Sequence, residues 1–282
     1  MDSQSTANRF HTKKSLGQHF LTSPVVPGWL AGAASIEVGE LVIEIGPGTG
    51  VLTAVLLDRG AHVIALEADP RALVVLAKRF AAEIAAGTLT LIHTDVRELD
   101  LAALGLTDHS FKIVANIPYY LSGHLFRHCL AGKAQPSTLV FLVQKEVGKR
   151  VASDFSRGGK HSLLSLSVQV YGDVQYVRTV SRGHFSPAPQ VDSGIVVVTN
   201  ISRNNFAGLS EADFFRLLHL AFGQKRKQLL GNLAAEYDRD GLTDLFSSLG
   251  LSPTVRAEDV SLADWLVVAK RLLSPSTPSV TQ

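Results

Sequence analysis

The stretch Leu41-Val42-Ile43-Glu44-Ile45-Gly46-Pro47-Gly48-Thr49-Gly50 decides the architecture of this chain. Five mostly apolar residues, rich in β-branching, stop abruptly in a turn that carries three glycines at alternate positions. Beyond the turn, Val51, Leu52, Val55 and Leu56 recur at helical spacing. A buried strand, a glycine turn and a helix in that order open a nucleotide-binding α/β domain. Alternate glycines permit positive φ and let a ligand approach backbone that carries no Cβ. Turns of this kind serve many ligands, so the motif alone does not choose one.

Working outward, apolar strand-like runs alternate with helical segments from about residue 36 to 145. Strands are expected at 41–45, 62–66, 89–93, 111–115 and 138–143, with helices near 51–58, 70–85 and 122–131. Such alternation implies parallel strands with helices on both faces. A basic, glycine-containing stretch at 144–161 follows, then strand candidates at Val168–Val180 and Gly194–Thr199. Two antiparallel final strands would close the sheet. From Ser210 onward the period is helical, at 211–222, 225–235, 239–248 and 261–273, with Gly250 and Pro253 as punctuation. The expected organisation is a flexible N-terminus (1–12), a Rossmann-like α/β domain (13–200), a linker (201–209), a small all-helical domain (210–273) and a flexible tail (274–282).

Composition narrows the class. Of 282 residues, 46% are hydrophobic and 18% charged, enough apolar material for a sizeable core and too little charge for a disordered chain. A net charge of +2 does not by itself announce a nucleic-acid binder. The lone cysteine, Cys129, excludes an internal disulfide framework and a cysteine-based zinc site, and suits a reducing compartment. No apolar run reaches the roughly 18 residues of a membrane span, and the N-terminal residues lack the apolar core of a signal peptide. A cytoplasmic protein with no membrane association is expected.

Carboxylates at successive strand ends identify the ligand. Glu67 follows His62–Leu66, placed to accept hydrogen bonds from both ribose hydroxyls of an adenosine. With the turn it leaves NAD and S-adenosylmethionine tied; an exposed acid before the helix starting at Pro70 is the plain alternative. Asp95 follows Leu89–His93 and can accept from an exocyclic adenine amine, which favours the methyl donor, although an N-capping aspartate reads equally well in isolation. Asn116-Ile117-Pro118-Tyr119 then settles the choice. A four-residue [Asn/Asp]-Pro-Pro-[Tyr/Phe]-type signature after the fourth strand marks methylation of an exocyclic amine conjugated to a ring. Such an amine is a poor nucleophile with its lone pair delocalised. The Asn116 amide oxygen and a backbone carbonyl beside Pro118 can accept both its hydrogens and favour a pyramidal nitrogen. Proline carries no competing N–H. Tyr119 offers a face to a flipped-out base, worth about 1–3 kcal/mol. S-adenosylmethionine is the expected cofactor, with Gly46 and Gly48 giving clearance to its methionyl part.

With these motifs in place the chain resembles the ribosomal RNA adenine dimethyltransferases, on their small-subunit side, from about Lys13 to Leu273. The resemblance rests also on Lys14-Ser15-Leu16-Gly17-Gln18-His19-Phe20-Leu21 and on Phe185-Ser186-Pro187-Ala188-Pro189-Gln190-Val191-Asp192-Ser193. It implies cofactor contacts at His19, Leu21, Gly46, Glu67, Asp95 and Asn116, and base-stacking aromatics at Tyr119 and Phe185. It further implies dimethylation of two adjacent adenosines in a hairpin near the 3′ end of small-subunit ribosomal RNA, with that RNA or the assembling subunit as partner and the protein acting as a monomer. Tyr120 departs from the family, where Asn or His is frequent.

Basic residues suit an RNA partner. Lys145, Lys149 and Arg150 lie in the 141–182 stretch, Lys225-Arg226-Lys227 heads a C-terminal helix, and Lys13 and Lys14 add to the cofactor-side rim. Solubility is the commoner role of any one lysine. His124 and His128, four apart, have metal-binding spacing but no evident third ligand, and no metal is expected. The rival readings are a large-subunit adenine methyltransferase of the macrolide-resistance type, an assembly factor acting mainly by binding, and an NAD-dependent oxidoreductase; the last leaves the Asn116 signature without a use.

Overall fold

The computed structural model describes residues 19–98, 100–224 and 226–273; the expected flexible ends, 1–12 and 274–282, lie outside the described residues. In chain order the first half comprises β1 (Phe20–Leu21), α1 (Val25–Ala33), β2 (Leu41–Ile45), α2 (Val51–Asp58), β3 (His62–Glu67), α3 (Pro70–Arg79), α4 (Ala81–Ala85), β4 (Leu89–His93), β5 (Lys112–Asn116), α5 (Ser122–Ala131) and β6 (Thr138–Gln144). There follow α6 (Lys145–Val151), α7 (Leu163–Gln169), β7 (Asp173–Val180), β8 (Phe185–Ser186), β9 (Ser193–Thr199), α8 (Glu211–Phe222), α9 (Leu229–Leu233), α10 (Arg239–Ser248) and α11 (Leu262–Leu273).

Seven strands form one sheet in the order β4-β3-β2-β5-β6-β9-β7. β4, β3, β2, β5 and β6 are mutually parallel, and β9 runs antiparallel between β6 and β7. The chain lays β3 and β4 on one side of β2, then returns to build β5 and β6 on the other. That reversal opens a crevice at the carboxyl ends of β2 and β5, where ligands of doubly wound sheets bind. β2 and β6 are buried on both faces because helices cover both, which is why neither strand alternates in sequence. Two apolar clusters flank the sheet. The larger runs from Ile43 and Phe141 through Tyr171 and Phe206 to Trp265 and Val268, so the C-terminal helices share a core with one face of the sheet. The other packs α1, α2 and α3 on the opposite face.

Several boundaries differ from expectation for identifiable reasons. The single helix expected over 70–85 is two, because the backbone turns at Phe80 (φ −114°) and buries that ring. The strand expected over Val168–Val180 begins only at Asp173. The alternating Leu-Ser-Leu-Ser-Val run before it is the helix α7, started by a reciprocal capping box between Ser162 and Ser165. The basic 144–161 stretch contains the short helix α6. Among the described residues of the helix expected at 225–235, Leu229–Leu233 alone is α-helical. The closing strand is not at the sheet edge: β9 inserts beside β6 and leaves β7 outermost. The 201–209 stretch puts Ile201 and Phe206 into the shared core, so the connection between sheet and helices is packed.

Candidate active site

The crevice is bounded by the ends of four neighbouring strands. Gly46 follows β2, Glu67 ends β3, Asp95 follows β4, and Asn116 ends β5; all four line one cavity, with His19, Gly48, Pro118 and Tyr119. Parallel pairing in register brings them together, since Ile45 sits beside Leu66 on one side and Ala115 on the other. Leu21 borders a smaller adjoining cavity that it shares with Gly46 and Asn116.

The glycine turn uses its freedom at two positions. Gly46 (φ +70°) has open space where a Cβ would stand, so backbone faces the cavity directly. At Gly48 (φ +57°) a Cβ would lie 2.8 Å from Cε1 of Phe20, so the ring of β1 closes on the turn. β1 is held from behind by antiparallel pairing with β8, Phe20 opposite Ser186 and Leu21 opposite Phe185.

Glu67 is buried, and its carboxylate accepts from the backbone N–H of Gly48 (3.1 Å) and of Asp69 (2.9 Å). Burial raises its pKa, and the backbone donors at Asp69, Gly48 and Ala68 oppose that rise. Two carboxylate oxygens offer about four lone-pair sites, so acceptor capacity remains for a diol. Asp95 differs in kind. Arg97 Nε donates to both its oxygens at 3.0 Å, and this pairing with the Arg97 backbone N–H holds the carboxyl down at about 2. It is an anion at any physiological pH. Glu44, just before the turn, is wholly buried against Thr53, whose hydroxyl donates at 2.6 Å; burial pushes its carboxyl up to about 8.

On the acceptor side, Asn116 Nδ2 donates to the backbone carbonyl of His19 at 3.1 Å. A carbonyl can only accept, so this contact fixes which end of the amide is nitrogen and leaves Oδ1 as the acceptor for a ligand. His19 is itself anchored: Nδ1 lies 2.8 Å from the Pro187 carbonyl, and the ring stacks on Tyr119 with centroids 5.6 Å apart. Pro118 precedes a single turn of 3-10 helix at Tyr119–Leu121, with its carbonyl accepting from Leu121 N–H. The Tyr119 hydroxyl bonds Ser193 Oγ at 2.7 Å.

Phe185 is placed differently from the stacking role that the resemblance implied. It is 5% exposed, packed in the apolar cluster with Leu21, and is not among the residues that line the cavity. Lys149, Arg150, Arg226 and Lys227 are exposed and Lys145 half-exposed. Arg150 pairs with Glu146, and Lys145 stands 3.8 Å from Asp192. Lys225, Lys13 and Lys14 lie outside the described residues. His124 and His128 stack on each other at 5.5 Å. Burial pushes the Cys129 thiol up to about 12. Sequence reasoning missed the His19 carbonyl, Phe20 and Arg97. The His19 carbonyl is backbone and leaves no signature. Phe20 reads as one more apolar residue, and Arg97 shows only as a basic residue two positions after Asp95.

A doubly wound sheet with a glycine turn, two strand-end carboxylates and an amide-proline-tyrosine turn around one crevice defines a Rossmann-like methyltransferase. The chain belongs to the ribosomal RNA adenine dimethylase family, whose model matches residues 9–273. It is 38% identical over 255 residues to "Ribosomal RNA small subunit methyltransferase A" of Dehalococcoides mccartyi strain 195, covering 90% of this chain and 86% of that one. It is 35% identical to the protein of the same name from Acidobacterium capsulatum, with coverages of 89% and 87%. Among solved structures it is similar to a dimethyladenosine transferase from Plasmodium falciparum (TM-score 0.74, 25% identity, 88% of this chain and 95% of that one). The 23S rRNA methyltransferase ErmE shares the fold (TM-score 0.69, 22% identity, 90% and 100% coverage). The protein is a ribosomal RNA adenine dimethyltransferase.

Proposed function

We propose that this protein uses S-adenosylmethionine to dimethylate the exocyclic amines of adenosines in small-subunit ribosomal RNA, two adjacent adenosines in a 3′-end hairpin being the target. The observation that carries the reading is the Asn116 amide, pinned by the His19 carbonyl in the same cavity as Glu67 and Asp95. The bacterial relatives described above are, by name, methyltransferases of small-subunit ribosomal RNA.

The residues present fit the donor. Gly46 leaves backbone open to the cavity, Glu67 has acceptor capacity for a ribose diol, and ionised Asp95 can accept from an adenine amine. When bound, S-adenosylmethionine supplies an electrophilic methyl group on a sulfonium. This chain's residues prepare the nucleophile. Asn116 Oδ1 accepts one hydrogen of the target amine and the carbonyl of Ile117, directly before the proline, accepts the other. The two acceptors draw the nitrogen out of conjugation and aim its lone pair. Tyr119 gives the flipped base a face to stack on. Orientation supplies most of the rate, and no general base with a matched pKa is required. Lys145, Lys149, Arg150 and the Lys225-Arg226-Lys227 cluster take RNA phosphates, which set affinity and position rather than sequence choice. The protein works as a monomer in the cytoplasm, where ribosomal subunits assemble.

The test is mass spectrometry of dimethyladenosine in small- and large-subunit RNA from a deletion strain, complemented with wild type or Asn116→Ala. Wild type restores the modification to small-subunit RNA alone, and Asn116→Ala does not restore it while still binding the particle. Restoration in large-subunit RNA, or full activity of Asn116→Ala, overturns the reading.

A further inference from the structure

Tyr120 has no role in the chemistry derived so far, yet it stands at the mouth of the catalytic cavity. It is the middle residue of the 3-10 turn Tyr119–Leu121, immediately after the aromatic assigned to the flipped base. The two neighbouring tyrosines are used in opposite ways. Tyr119 is half-buried, with its hydroxyl tied to Ser193 and its ring stacked against His19. Tyr120 is 61% exposed, the most exposed Phe, Tyr or Trp ring among the described residues, and still lines the cavity.

Its surroundings fit a nucleic acid. Arg97 lines the same cavity, lies within electrostatic reach of Tyr120, and is itself exposed while bonded to Asp95. An exposed aromatic face beside a guanidinium at the edge of a base-flipping pocket offers a nucleobase a stacking platform, with positive charge for the adjoining phosphate. Phe185 is 5% exposed and does not line this cavity. Among the described residues, the exposed ring at the entrance is that of Tyr120.

We propose that Tyr120 stacks on the RNA nucleobase next to the flipped adenosine and so sets the register in which the strand presents its target. This rests on the RNA substrate assigned above. Stacking is insensitive to base identity because every base has a π-face. Tyr120 therefore controls how well the strand is seated and leaves the choice of acceptor to Asn116 and Pro118. The ring could instead be imagined over the adenine of the methyl donor, and the two sources separate in measurement.

The experiment compares wild type with Tyr120→Ala, Tyr120→Phe and Tyr120→Trp on undimethylated small subunits from a deletion strain. It measures KM for the particle, kcat, and donor affinity by calorimetry. Tyr120→Ala raises KM for the particle by about 5- to 150-fold, the range of one lost base–aromatic stack. Tyr120→Phe and Tyr120→Trp stay within twofold of wild type, and donor affinity and thermal midpoint are unchanged throughout. A KM for Tyr120→Ala within twofold of wild type overturns the proposal. Loss of donor affinity with an unchanged particle KM overturns it too, by assigning the ring to the donor's adenine. Loss in Tyr120→Phe equal to that in Tyr120→Ala overturns stacking in favour of a hydroxyl contact. A wild-type protein that fails to methylate these particles removes the underlying RNA reading instead, an outcome distinct from the other three.

Discussion

Replacing Gly48 by alanine should damage catalysis through a relay of contacts that begins at Phe20. The new methyl group meets two penalties. At φ +57° an L-residue is strained by about 1–2 kcal/mol, and the Cβ would sit 2.8 and 3.0 Å from two atoms of the Phe20 ring, which must move by several tenths of an ångström. The far side of β1 cannot yield freely, because Leu21 pairs with Phe185 and Thr22 N–H donates to the His184 carbonyl at 2.9 Å. Displacement therefore passes to His19, whose carbonyl holds the Asn116 amide at 3.1 Å. Loosening that bond forfeits about 0.5–1.5 kcal/mol, or roughly 2- to 13-fold in kcat. The strain alone lowers the thermal midpoint by about 2–3 °C for a chain of this size. Gly46→Ala is the control. It carries the same backbone strain at φ +70° but nothing lies within 4 Å of its Cβ, so its methyl group enters the cavity and its effect falls on donor affinity. The assay is a double-mutant cycle of Gly48→Ala with Phe20→Ala, read by thermal unfolding and by kcat. Removing the obstructing ring should make the pair less destabilised than the sum of the singles by about 1 kcal/mol or more. Additivity within about 0.5 kcal/mol would refute the contact.

Three further perturbations follow from the same geometry. Glu67→Gln cannot accept from both the Gly48 and Asp69 N–H groups and loses the charge that strengthens them, so donor dissociation constants measured by calorimetry should rise about 10- to 100-fold. Glu44 is buried, with its pKa raised to about 8 against an unfolded value of 4.5, so the folded state binds the extra proton between those limits. Its contribution to stability is full below about pH 4.5 and lost as pH rises towards 8, with a slope of up to about 1.4 kcal/mol per pH unit. Glu44→Gln retains an oxygen for Thr53 to bond and should remove that slope from urea unfolding series across pH 5–8; an unchanged slope sinks the assignment. Tyr119→Phe keeps the stacking face and loses only the 2.7 Å bond to Ser193, costing about 1 kcal/mol in stability. Its particle KM should stay near wild type while that of Tyr119→Ala climbs by roughly one or two orders of magnitude.

The residues that line the crevice at the strand ends were legible because each follows an apolar run. Glu67, Asp95 and Asn116 end or follow β3, β4 and β5, and parallel pairing carries any polar residue at such a position to the same crevice. Order along the chain was then enough to infer proximity in space. Legibility failed where position depends on pairing at long range. β1 and β8 are two residues long and more than half the chain apart, too short for periodicity to signal, yet their pairing buries Phe185 and sets His19. The β9 insertion is invisible for a related reason, since the apolar run Gly194–Val198 would suit an edge or an interior place equally until β6 is found to need a second neighbour. At α7 the Leu163–Val168 run satisfies a two-residue and a helical period at once, and the hydroxyls of Ser162 and Ser165 decide between them.

The His19 carbonyl makes the amide of Asn116 a one-way device, and Asn116→Asp tests that directly. An aspartate presents oxygen whichever way it turns, so a site needing only an acceptor near the target amine should tolerate it. A site in which His19 sets the orientation should not. Ionised, the new carboxylate would bring an oxygen against the His19 carbonyl about where Nδ2 now stands at 3.1 Å, two acceptors with no proton between them. An acceptor left so costs about 1–3 kcal/mol, enough to displace the side chain and lower kcat roughly 5- to 150-fold near pH 8. Protonated, the same group donates to the His19 carbonyl and leaves its other oxygen for the amine, restoring the wild-type pattern. Activity of Asn116→Asp relative to wild type at the same pH should therefore rise as pH falls from 8 to 5.5; Asp95, held at about 2, and the neutral wild-type amide contribute no titration there, and the ratio to wild type cancels that of Glu44. Single-turnover rates at saturating particle and donor separate this from changes in binding. A variant with a flat pH profile at full activity shows that orientation of the amide is immaterial; a flat profile with no activity shows that the nitrogen, not its direction, is what the chemistry requires.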